Sequence, residues 1–329
     1  MKKTTLCPCG SGEAYNACCG RFHRGKAAQS ALELMRARYS AYAQNLPAYI
    51  IQTTHPGSPQ FHPNVAEWTQ KIADFCTHTQ FQRLQVLSVQ EYGSLATISF
   101  VAHLSQNNKD ASFTEKSYFE KLHGRWFYRS GQLAEGHAPN LVTTEPTRLL
   151  PLAYYGHPIL RKVADPIEKI TADVHRLVEG MVDTMNACDG IGLAAPQVHH
   201  SVQLFIIRIP IVTHENGKEK IEFGEVKVFI NPKISLLSQE TWTVAEGCLS
   251  IPTIEGQVMR PSEIAIEYTD LSGKQIRERV KGWEARIILH ENDHLNGVLF
   301  IDHLTAEERK NIDPFLAHLH NRIHQGHEL

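Results

Sequence analysis

At 329 residues the chain exceeds one comfortable hydrophobic core, so two or three domains are expected. Hydrophobic residues make up 42% and charged residues 21%, ordinary for a globular protein. The formal net charge of -2 excludes nucleic-acid binding driven by overall basicity. The lysines of MKKTTLCPCG precede no apolar run, and no stretch reaches the roughly 18 apolar residues of a bilayer span, so a cytoplasmic location is expected.

Residues 1–25 are too few to bury a core, yet hold four of the seven cysteines: Cys7, Cys9, Cys18 and Cys19. In a reducing compartment such a cluster points to a closed tetrahedral zinc site, which lends folding energy to a short segment. A redox-active thiol cluster is the competing reading. Residues 27–131 read as an α+β unit. Leu32, Met35, Tyr39 and Tyr42 form one helical stripe, and Val65, Trp68, Ile72 and Phe75 another. Ala96 to Leu104 alternate as a half-buried strand, and runs Phe113–Leu122 and Arg125–Ser130 flank a tight turn at His123-Gly124. Residues 132–148 lack periodicity and read as a linker.

In residues 149–310, Val174, Leu177, Val178, Met181 and Met185 mark an amphipathic helix. Strands are predicted at about 202–210, 226–230, 263–269 and 275–280, the first being the most apolar run of the chain. A last core helix begins near Trp283. Residues 311–329 form a tail whose Phe315, Leu316, Leu319 and Ile323 give a partial helical stripe, packed on the preceding domain or free for a partner.

The chemistry concentrates in three segments. His290-Glu291-Asn292-Asp293-His294 on a helix puts two imidazoles on one face, able to share a metal ion, with Glu291 beside them as a base. Glu246-Gly247-Cys248-Leu249-Ser250 offers a thiolate as third ligand and leaves a fourth position open. Gly190-Ile191-Gly192-Leu193-Ala194-Ala195-Pro196-Gln197 is a small-residue loop that admits close backbone approach and ends in an amide. The mixed sulfur and nitrogen donors suit Fe(II), Zn, Ni or Co.

These three motifs, in this order, resemble the peptide deformylase family over residues 149–310. The resemblance implies antiparallel sheets around the metal-binding helix, Fe(II) as native ion, and removal of the formyl group from formyl-methionyl nascent peptides. It implies Cys248, His290 and His294 as ligands, with Glu291 acting on metal-bound water and then protonating the leaving amine. Gln197 and the Leu249 N–H would receive the developing oxyanion. Glu246, Arg260 and Asp293 match positions that support the metal helix. Gly190, Ile191, Gly192, Trp283 and Ile287 are candidates for contacts to the substrate and its methionine side chain, with plain core packing as the competing reading for Trp283 and Ile287. Leu289 replaces the usual glutamine and Asn292 a usual apolar residue, so a catalytically weakened member serving as an adaptor is the alternative. A peptidase of H-E-x-x-H type is weaker, because such enzymes seldom use a cysteine ligand.

The run CPCGSGEAYNACCG resembles the SEC-C motif, the zinc module at the tail of the SecA translocation ATPase, which engages a chaperone and ribosomes. Residues 27–131 resemble the middle domain of YchJ-like proteins through Leu34 to Tyr42, Thr54-His55-Pro56 and Gly124 to Tyr128. That likeness implies a cystatin-like α+β cone and assigns no catalytic residues. A ribosome or chaperone is the partner the extension implies.

Overall fold

The computed structural model describes residues 5–62, 64–138, 148–215, 218–237 and 239–325. The chain divides into two units, residues 1–147 with 326–329, and residues 148–325. Linker positions 139–147 and tail positions 326–329 lie outside the described residues.

The first unit contains α1 (Gly20–His23), α2 (Ala31–Ala43), α3 (Pro47–Gln52), α4 (Val65–His78) and strands β1 (Gln80–Tyr92), β2 (Leu95–Gln106), β3 (Lys109–Asp110), β4 (Phe113–Leu122) and β5 (Arg125–Glu135). Side chains cap both long helices: Ser30 Oγ accepts from Glu33 N and Asn64 Oδ1 from Glu67 N, satisfying donors that have no partner within the helix. The strands form one antiparallel sheet in the order β1-β2-β4-β5, with β3 paired to β2. His123 and Gly124, at φ 47° and 78°, make the expected β4–β5 turn. Two expectations change. β1 went unseen, because its burial does not alternate cleanly. β5 also runs four residues into the expected linker, held by the pairs Thr114–Ala134 and Phe113–Glu135.

The second unit contains α5 (Ala172–Ala187), β6 (Gly192–Ala194), β7 (Leu204–Ile207), β8 (Pro210–Glu215), β9 (Lys218–Phe223), β10 (Lys227–Leu236), β11 (Thr241–Cys248), β12 (Ile251–Pro261), β13 (Glu263–Thr269), β14 (Gln275–Lys281), α6 (Gly282–Leu295) and α7 (Ala306–His320). Its sheet runs β14-β13-β10-β7-β6, all antiparallel, while β11–β12 and β8–β9 are separate hairpins. The apolar run from Val202 does not form one strand. It breaks after Ile207, because Arg208 donates to Gly190 O and Asn186 Oδ1, and Ile211 and Val212 continue exposed in β8.

Helix α6 presses Ala285, Ile287, Ile288 and Leu295 into a core with Phe205, Phe229, Ile264 and Ile266 of the sheet. A second cluster joins Met181 and Met185 of α5 to Leu204, Ile251 and Val258. Leu316, Leu319 and Ile323 of the tail complete it, while Phe315 stays exposed. The tail helix therefore packs on its own unit. Its Thr305–Glu308 capping box sets the start at Ala306.

Candidate metal centre

Three elements converge on one point. Helix α6 carries His290 and His294 one turn apart, with their rings 5.2 Å apart. Cys248 is the last residue of β11, just before its turn into β12. The ligand atoms of these three residues all lie within 4.8 Å of one another. Cys248 Sγ is 3.3 Å from His294 Nε2 and 3.4 Å from Gln197 Nε2.

Burial pushes the Cys248 thiol up, but the imidazoles of His294 and His290 outweigh it and hold the thiol well below its ordinary value. Glu291 is 4% exposed, and its Oε2 is buried without a hydrogen-bond partner. Burial pushes its carboxyl up to about 7 against the pull of His290 and His294. A thiolate and two imidazoles beside an unsatisfied carboxylate oxygen are a donor set that fits a divalent ion with a free fourth position.

Strand β6 and the turn after it form the opposite wall. Gly192 lies so close to Glu291 that an added Cβ would stand 2.2 Å from Oε1. Gln197, 1% exposed, accepts from Ala194 N through Oε1 at 2.8 Å. That bond identifies the end of the amide facing the site: Nε2 points at Cys248 Sγ and, at 3.2 Å, at Ser250 Oγ. Gly190 sits against Leu249, whose Cδ1 would be 2.8 Å from an added Cβ.

Behind the histidines lies a buried polar network. Glu246 Oε1 accepts from Arg260 Nε at 2.7 Å and Arg286 Nη1 at 2.6 Å. Its Oε2 accepts from Arg260 Nη2 at 2.9 Å and pairs with His290 Nδ1 at 3.0 Å. Burial works against that charge, but the bonds from His290 and Arg260 hold the Glu246 carboxyl down at about 2. An ionised Glu246 keeps the proton of His290 on Nδ1 and leaves Nε2 free to bind an ion. Arg260 also reaches Asp293 Oδ2 at 2.8 Å, and His303 Nε2 meets the same oxygen at 2.8 Å. Sequence reasoning missed Arg286 and His303. For Arg286, one signal existed: it lies four residues before His290, on the same helical face.

The substrate candidates separate. Ile287 belongs to the core cluster against which Ile191 packs, whereas the Trp283 ring is half exposed and edge-on to Trp242 at 5.3 Å. Leu289 packs against the same cluster as Ile191, and Asn292 O accepts from Asn296 Nδ2.

In the first unit Cys7, Cys9, Cys18 and Cys19 also bring their sulfurs within 4.8 Å of one another. Cys9 Sγ is 3.6 Å and Cys19 Sγ 3.8 Å from Cys18 Sγ. The edge of a zinc–thiolate tetrahedron with about 2.3 Å bonds is about 3.8 Å, so the cluster fits such an ion. The cluster is anchored on α2, where Arg36 donates to Cys9 O and Ser40 Oγ lies 3.4 Å from Cys7 Sγ. The Cys9 thiol is pushed down to about 4 by its bond to Cys19, whose own thiol is pushed up.

Comparison with known proteins agrees with this architecture. Family models match as "SEC-C motif" over residues 4–21, "YchJ, middle NTF2-like domain" over 30–131 and "Polypeptide deformylase" over 149–310. The peptide deformylase of Psychrobacter cryohalolentis is 41% identical over 157 residues, covering 48% of this chain and 80% of that relative. The peptide deformylase of Cytophaga hutchinsonii is 41% identical over 162 residues, covering 49% and 85%. A solved Plasmodium falciparum peptide deformylase is 37% identical, covers 51% of this chain and 98% of its own, and has a TM-score of 0.45. With its C-terminal half matched over most of the length of these relatives, the chain belongs to the peptide deformylase family.

Proposed function

We propose that this enzyme hydrolyses the N-terminal formyl group of formyl-methionyl nascent polypeptides and releases formate. The observation that carries the reading is the meeting of Cys248, His290 and His294 beside the buried carboxylate of Glu291. A divalent ion held there, Fe(II) in our reading with Zn, Ni or Co as substitutes, would supply Lewis-acid polarisation at its open position.

The other steps belong to the chain. Glu291, with a proton affinity raised towards neutrality by burial, takes a proton from the attacking water and returns it to the departing amine. Gln197 Nε2, held by the Ala194–Oε1 bond, donates to the formyl oxygen as negative charge builds, together with the Leu249 N–H. Gly190 and Gly192 admit the substrate backbone, and Ile191, Ile287 and Trp283 are our candidates to shape the methionine pocket. Glu246, Arg260 and Asp293 hold His290 and the helix in register, with Arg286 as a further partner of Glu246.

The four cysteines would hold a structural zinc ion, and the N-terminal unit would tether the enzyme to a ribosome or chaperone, raising the local concentration of substrate. A cytoplasmic location fits this role. Among the described residues no helix is long and apolar enough to cross a membrane. We propose residues 1–25, 27–131 and 149–310 as zinc module, α+β domain and catalytic domain.

The test is anaerobic formate release from formyl-Met-Ala-Ser by Fe(II)-loaded full-length protein, with Glu291→Ala as control. Turnover abolished by the substitution is the expected result. No turnover from folded, metal-filled protein would overturn the reading and favour the adaptor role.

A further inference from the structure

The first unit contains a half-open cavity of about 440 Å³ that the deformylase reading does not use. This volume lies in the range of small-molecule sites. Its walls are aromatic, with Tyr39 on α2, Trp68 and Phe75 on α4, and Phe100, Phe113 and Phe119 on the sheet. Its polar end is a connected group. Gln60 Nε2 donates to Tyr128 Oη at 3.1 Å, Tyr128 Oη donates to Glu115 Oε1 at 3.0 Å, and Ser117 Oγ donates to the same oxygen. Gly131 on β5 makes room for that carboxyl, since an added Cβ there would stand 2.2 Å from Glu115 Oε1.

Arg38 completes this end. It is 6% exposed, lies 4.6 Å over the Tyr128 ring, and spends Nη1 on Ile50 O, Thr53 Oγ1 and Thr54 Oγ1. No carboxylate among the described residues lies within ion-pair distance of it; its charge acts on the Glu115 carboxyl of the same cavity without a direct bond, and a buried cation without a close counter-ion is costly. Lys71 and His62, which also line the cavity, face Glu67 instead, at 2.7 and 3.6 Å.

We propose that this cavity is a ligand site for a small apolar molecule ending in a carboxylate. The aromatic walls take the apolar body, and the Arg38 guanidinium takes the anion. Burial pushes the Glu115 carboxyl up, against the pull of the Ser117 and Tyr128 hydrogen bonds and of the Arg38 charge.

The test titrates full-length protein by calorimetry with decanoate, decanol and decylamine at neutral pH. Decanoate is expected to bind one to one, decanol at least about tenfold more weakly, and decylamine not at all. Ala102→Trp, at a position lining the cavity, is expected to abolish decanoate binding while formate release from formyl-Met-Ala-Ser is retained. Arg38→Gln is expected to reduce decanoate to the level of decanol. Decanol binding as tightly as decanoate overturns the anion assignment, and decylamine binding tightest gives the cavity to a cation. Undiminished binding to Ala102→Trp puts the site elsewhere, and no saturable binding to folded wild type overturns it altogether. If Arg38→Gln fails to fold, the ranking of the three head groups and Ala102→Trp still decide.

Discussion

Replacing Gly192 by alanine tests the geometry of the base directly. The new Cβ would stand 2.2 Å from Glu291 Oε1, 2.7 Å from Cδ and 2.9 Å from Cγ. Carbon and oxygen do not approach so closely, so either β6 or the carboxylate must yield. β6 is pinned by the pairs Gly192–Ile207, Leu193–Ile206 and Ala194–Phe205, and its residues are fully buried. The carboxylate therefore moves, by about 1 Å, a displacement that commonly costs about 10²-fold in rate. Overpacking also lowers stability by about 1–3 kcal/mol. The three atoms nearest the new Cβ all belong to Glu291 and none to Cys248, His290 or His294, so the metal content should stay at the wild-type value. The assay is kcat and KM for formate release, with metal content by mass spectrometry and Tm by calorimetry. A folded, metal-loaded Gly192→Ala enzyme within about threefold of wild-type kcat would falsify the placement of Glu291 as the base.

Three other outcomes follow from the described contacts. Glu246→Gln removes the charge that holds Arg260, Arg286 and His290, so metal affinity in a chelator competition should fall about 10- to 100-fold, and an unchanged affinity would refute the coupling. Cys9→Ser should lower zinc content by one equivalent and lower the Tm of the first unit, with kcat within about twofold of wild type; retained zinc would exclude Cys9 as a ligand. Burial raises the folded-state pKa of Glu115 above the unfolded one. The folded state then holds the proton more tightly, so stability is greatest below the ordinary carboxylate range and is lost as pH rises above it. Glu115→Gln should therefore gain Tm relative to wild type at pH 9 compared with pH 5, and a pH-independent difference in Tm would count against that burial.

The metal centre was legible because its chemistry demands particular residue types at local spacings. His290 and His294 declare a shared helical face by themselves, and Glu246 to Ser250 and Gly190 to Gln197 are short continuous segments. The network behind them was less legible, because its bonds join distant positions. Arg286 meets Glu246 and Trp242 O only once α6 lies along the β11–β12 hairpin, so its spacing from His290 places it on the metal face without marking its partners. The same reason hid β11 and β12. Their strongest signals, Val258 and Arg260 facing inward and Met259 outward, mix charge with apolar residues, because a buried arginine takes a core position. The run from Val202 misled in the opposite direction. Its hydrophobicity continued past Ile207, but the pairing that buries β7 between β6 and β10 does not extend to Ile211 and Val212.

The position of α7 has a consequence for biogenesis. Leu316, Leu319 and Ile323 close the cluster formed by Met181, Leu204 and Val258, so the catalytic unit lacks part of its interior until synthesis has passed those residues. The cysteine cluster and sheet of the first unit draw their interior from residues 7–128 alone. Chains emerge N-terminal end first and fold unit by unit. The thiol module and the aromatic cavity can thus mature while the deformylase half is still being made, and whatever the first unit binds can engage it before the enzyme is able to turn over.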